Sequence, residues 1–142
     1  MGTYHRILVL LDCSEVDDAI VCHIKDLARS EEASVVLVHV VHSHTLDQDR
    51  VLREKALSCM TQRKSELQDA GVSSETLILS GEPEIELVKE IETGTYDLVA
   101  LATHGHKVFA DILFGSVSDH LKHRVEVPIL LVRGALCRDT GR

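Results

Sequence analysis

Aromatic side chains are almost missing from this chain of 142 residues: Trp is absent, and Phe and Tyr occur twice each. A core without large rings has to be assembled from Val, Ile, Leu and Ala. That stock suits parallel strands buried on both faces by helices. Cations are outnumbered, 15 Lys and Arg against 23 Asp and Glu, and the resulting net charge of −8 repels phosphate backbones, so no nucleic-acid partner is expected. No apolar run approaches the roughly 20 residues that span a bilayer, so no membrane partner is expected either. The apolar stretch at 7–11 is too short for a signal segment and is stopped by Asp12. Arg6 stands where a myristoylation site needs Ser or Thr. A cytoplasmic location is therefore the expectation. CxxC pairs are absent too: Cys13, Cys22, Cys59 and Cys137 are irregularly spaced and read as four reduced thiols.

What is present is an alternation. Short apolar runs at 7–11 (ILVLL), 35–41 (VVLVHVV), 76–79 (TLIL), 98–102 (LVALA) and 129–132 (ILLV) lack a strict period of two, as strands covered on both faces do. Between them lie helical patterns. At 14–30 a single stripe is formed by Val16, Ala19, Ile20, Ile24, Leu27 and Ala28. Ser14 is its natural N-cap, with Asp17 in a box-like position three residues on. The segment 47–70 is long and charged and stops at Gly71. Helices are also expected at 83–92, opened by Pro83, and at 114–124, entered through Gly115 and Ser116. The order β-α-β-α-β-α-β-α-β implies right-handed crossovers and a parallel sheet with helices on both faces. The length is that of one domain, with a core over 4–133 and a loose tail at 134–142.

In such a sheet ligands bind beyond the C-terminal strand ends where the strand order reverses. The fourth run ends Ala102-Thr103-His104-Gly105, and Gly115-Ser116-Val117 follows after nine intervening residues. Gly105 lets the backbone approach a ligand closely, and its neighbouring amides can form an anion nest. The free first-turn amides of a helix opened by Gly115-Ser116-Val117 favour negative charge, and the Ser116 hydroxyl can donate to a phosphate oxygen. The same glycines also serve a plain turn and a plain cap, so physics leaves both readings open. There is no GxxxxGK[ST] and no GxGxxG, which excludes a Walker-type or standard dinucleotide loop by motif.

These residues carry a resemblance. ILVLLDCSE, VVLVHVV with its His39-Val40 pair, ATHG followed after nine residues by GSV, and the ending VPILLVR resemble a universal stress protein domain over 4–133. The family's ATP-binding signature reads Gly, two residues, Gly, nine residues, Gly, then Ser or Thr; here its first position is Ala102. The resemblance implies a doubly wound sheet of strand order 3-2-1-4-5 binding an adenine nucleotide, ATP or AMP with or without Mg2+. It places Leu10 and Leu11 along the base, Asp12 near the ribose or adenine, Val40 at the adenine edge, and Leu101 and Ala102 under the ribose. Gly105, His106, Gly115, Ser116 and Val117 would hold the phosphates. It further implies a stress-response regulator, with at most weak ATP hydrolysis, that forms homodimers through the apolar last strand (127–132), a bare edge that invites pairing.

Two other constellations are weaker. Nine histidines suggest metal binding, but no Cys or carboxylate completes a set in sequence, and no dedicated metal site is expected. For hydrolysis, Asp12, His104 and His106 are candidates by location alone, so no catalytic residue is assigned. A family dimer that binds no nucleotide, favoured by Ala102, and a slow ATP hydrolase are the rival readings.

Overall fold

The computed structural model describes residues 2–103, 121 and 125–133. Five strands are seen: β1 (Arg6–Leu10), β2 (Ser34–Val41), β3 (Ser74–Ser80), β4 (Leu98–Thr103) and β5 (Ile129–Arg133). All their pairings are parallel, in the order β3-β2-β1-β4-β5, as expected. The helices between them are α1 (Asp17–Glu31), α2 (Leu46–Asp69) and α3 (Pro83–Thr93). The expected helix over 114–124 lies outside the described residues except for Leu121, which is helical and fully buried. The tail at 134–142 also lies outside them.

The short apolar runs make strands because each inner strand has to serve two layers. Along β1, Ile7 and Val9 face one layer and Leu8 and Leu10 the other. The first layer is closed by Ile20, Val21, Ile24 and Ala28 of α1 and by Met60 and Leu67 of α2. The second is closed by Leu87, Val88 and Ile91 of α3 and by Leu121. Helices therefore cover both faces. One expectation fails at the rim: β3 is not covered on both faces, because its apolar residues are only partly buried. Among the described residues it is an edge strand with β2 as its single neighbour.

Local chemistry sets the helix ends. Thr45 caps α2, its hydroxyl accepting from the Gln48 amide at 3.1 Å. Gly71 takes φ +82° just beyond, where a Cβ would be strained. Pro83 opens α3. The expected Ser14 cap of α1 is corrected. The residue at the cap position is Val16, with no side-chain hydrogen bond, because the Ser14 hydroxyl is engaged by Asp12 instead, donating to its carboxylate at 2.6 Å.

Candidate functional site

The strand order runs outward from β1 in both directions, to β2 and β3 on one side and to β4 and β5 on the other. The C-terminal ends of β1 and β4 thus form the switch point where the crossovers diverge, the position at which open α/β sheets bind ligands. Leu10 is the register partner of Leu101 across this seam. Leu10, Leu101 and Val40 belong to the same buried layer, the one closed by α3. Leu11 and Ala102 turn into the opposite layer, beneath α1. The structure therefore places three of the expected residues on one face and two on the other. Gly105, His106, Gly115, Ser116 and Val117, along with His104, lie outside the described residues.

Ala102 is an ordinary strand residue. It pairs with Val132 of β5 and is 1% exposed. Among the described non-glycine residues only Cys13 and Glu32 have positive φ. The methyl group of Ala102 therefore meets no backbone penalty and fills the core under α1.

The turn after β1 is held by groups that sequence reading undervalued. Asp17, completely buried, turns its carboxylate back: Oδ1 accepts the Asp12 amide at 2.9 Å and Oδ2 the Cys13 amide at 2.8 Å. The pattern is that of a capping box displaced toward the strand. These bonds hold Cys13 at φ +58°, a region that residues with a Cβ rarely adopt. Burial pushes the Asp17 carboxyl up to about 6, against the pull of the two amides and, more weakly, of Arg63. From β2, His39 Nδ1 lies 2.8 Å from the Leu11 carbonyl. A carbonyl only accepts, so Nδ1 carries the proton of that bond. With the Leu11 amide donating to the Val38 carbonyl at 2.8 Å, this fixes the end of β1 against β2. The signals in sequence were Asp17 three residues after Ser14 and a His inside an apolar strand.

Asp12 is half-buried, and its carboxylate accepts from the Ser14 hydroxyl within this turn. Asp17 and Asp18 follow in the first turn of α1. The end of β1 and the start of α1 are therefore rich in carboxylates. They suit hydroxyl and amino donors of a ligand and repel phosphates, which must be held elsewhere. Cys13 and Cys59 are free thiols, both pushed up chiefly by burial. Cys22 is in a disulfide, which corrects the expectation of four reduced thiols.

Comparison with known proteins fits this geometry. The model of the universal stress protein family matches residues 3–133. A universal stress protein of Methanocaldococcus jannaschii is 25% identical over 154 residues, covering 92% of this chain and 95% of the relative. Two solved structures share the fold. The universal stress protein of Archaeoglobus fulgidus in complex with dAMP has a TM-score of 0.70 at 20% identity, covering 91% of this chain and 98% of that one. A family member from Arabidopsis thaliana with AMP bound has a TM-score of 0.67 at 18% identity, covering 91% of each.

Proposed function

The chain belongs to the universal stress protein family, and on that premise we propose that it is a stress-response regulator that binds an adenine nucleotide, ATP or AMP, at the C-terminal ends of β1 and β4. The observation that carries this reading is the switch point itself: the strand order reverses between β1 and β4, which pair with Leu10 opposite Leu101, and Asp12 follows two residues after Leu10, where sheets of this kind bind ligands. Leu10, Val40 and Leu101 supply the apolar floor from one layer, and Leu11 and Ala102 border the site through their backbone at the two strand ends. Asp12 accepts from ribose hydroxyls or the adenine amine. Gly105, His106, Gly115, Ser116 and Val117 hold phosphates and, with a triphosphate, Mg2+, which itself needs few protein ligands. The relatives solved with dAMP and AMP support the ligand class.

The same proposal includes a single domain over 1–142 with a core at 4–133, a cytoplasmic location, and a homodimer formed through β5. No described helix is long and apolar enough to cross a membrane. Among the described residues β5 pairs only with β4, and Leu131 on this outer strand is 51% exposed. A second copy related by a two-fold axis would cover it.

The direct test is mass spectrometry of small molecules released on denaturing freshly purified protein, followed by calorimetric titration with ATP and Mg2+. Release and rebinding of an adenine nucleotide is the expected result; no release and no binding heat would overturn the reading. A companion variant, Ala102→Gly, restores the family's glycine. It is expected to leave nucleotide affinity unchanged and to lower unfolding free energy by about 1–2 kcal/mol, through backbone entropy and a lost buried methyl. Denaturant titration measures the second effect. A gain in affinity would show that the methyl obstructs the ligand.

A further inference from the structure

We propose that Cys13, Cys59 and the Asp17 carboxylate form a binding site for a thiophilic divalent cation, with Zn2+ as its natural occupant. One ligand atom from each residue lies within 4.8 Å of the other two. A tetrahedral zinc with its usual bond lengths holds such atoms about 3.5–3.8 Å apart, so closure shortens any one of these distances by about 1.3 Å at most. Two sulfurs and one oxygen are a borderline-soft donor set. It suits Zn2+ and its analogues Cd2+ and Co2+, and it is wrong for Mg2+ or Ca2+, which require oxygen.

The surroundings fit a cation in several ways. Cys13 and Asp17 come from the turn between β1 and α1, and Cys59 comes from α2, so the ligands converge from two separately anchored elements. The turn is already set, because the Asp17 carboxylate accepts the amides of Asp12 and Cys13. Those bonds orient the carboxylate as outer-shell donors do in metal sites. Each oxygen keeps a further lone pair for an ion. Asp17 is fully buried whereas both cysteines are half-buried, which leaves a way in from solvent and a fourth position for water. On binding, each thiol gives its proton to solvent and forms a sulfur–metal bond. Two thiolates and a carboxylate around a divalent ion leave one negative charge. Arg63, which bonds Asp18, the residue after Asp17 in the first turn of α1, at 2.7 Å, lies where it can offset that charge. A bound ion would staple the end of β1, and with it Asp12, to α2. This site requires no nucleotide, so its test is separate from that of the nucleotide reading.

The test is titration of the full-length chain, reduced with a phosphine, with Co2+ as the spectroscopic stand-in for Zn2+. The expected result is one Co2+ per chain, a thiolate-to-cobalt charge-transfer band, loss of the band on adding Zn2+, and release of protons as the ion binds. Cys59→Ser and Cys13→Ser should each abolish the band, and Asp17→Asn should weaken binding at least tenfold. Cys22→Ser should leave it intact. Cys59→Ser is an isosteric change on a helix outside the turn, so its folding is not in question. Absence of the band in the parent chain, or its persistence in Cys59→Ser, would overturn the assignment.

Discussion

Gly115→Val is expected to remove nucleotide binding while the protein melts where the parent chain does. In a calorimetric titration the parent should show the heat of ATP binding and the variant none. In the family signature this glycine opens the helix whose first amides face the phosphates. A phosphate oxygen accepting from backbone N–H must come within about 3 Å of the chain, and a β-branched side chain there stands in its path. Losing even two charge-assisted amide–phosphate bonds, each about 1.5–3 kcal/mol, lowers affinity by roughly 100-fold or more. Val is acceptable in the first turn of a helix, so folding should not suffer. Undiminished affinity in a folded Gly115→Val variant would mean that the phosphates are held elsewhere.

Asp17→Ala is expected to cause a large loss of stability. It strips the partner from two amides in the turn, those of Asp12 and Cys13, and alanine offers nothing in exchange. An unsatisfied buried donor costs about 1–3 kcal/mol, so the loss is about 2–5 kcal/mol, or roughly 5–15 °C in Tm for a chain of this size. Asp17→Asn keeps a carbonyl for one amide and should lose less. The two variants also separate geometry from charge. Burial holds the native Asp17 carboxyl near 6, well above the roughly 3.9 of an exposed aspartate. Between about pH 4 and pH 6 the folded chain therefore keeps a proton that the unfolded chain has released. Stability contributed by this group is complete below pH 4 and falls as pH rises through 6, by about 3 kcal/mol in all. In chelator-treated protein, denaturant titrations at pH 4, 5, 6 and 7 should show this decline in the parent and a shallower one in Asp17→Asn. Equal slopes would mean that Asp17 is better hydrated than its burial implies, and an unchanged midpoint in Asp17→Ala would mean that water takes over both amides.

The glycine spacing is a local pattern, legible in one dimension, because an anion loop needs its Cβ-free positions at fixed distances along the backbone. The role of Asp17 was half legible. Its position three residues after Ser14 suggested a capping box, but which amides it would take depended on where β1 ended. The apolar run at 7–11 stops pairing at Leu10, so the turn begins one residue early and the carboxylate reaches Asp12 and Cys13 rather than Ser14. His39 was legible only as part of a motif. Its bond to the Leu11 carbonyl follows from the register of β1 against β2.

By itself the sequence determined the number, kind and order of the strands, the parallel sheet, and the positions of its two unusual strand ends. Burial on one face, on two faces, or on a helical stripe imposes periodicities that neighbouring residues must obey whatever the rest of the chain does. Only the tertiary structure decided that Ala102 is an extended core residue with no conformational conflict, that β3 is half-exposed, and that Cys13, Asp17 and Cys59 meet. Between Cys13 and Cys59 the chain runs through α1, β2 and the first half of α2. Contacts between elements so distant in sequence depend on how each crossover helix settles onto the sheet, and that packing leaves no fixed spacing along the chain from which to read it.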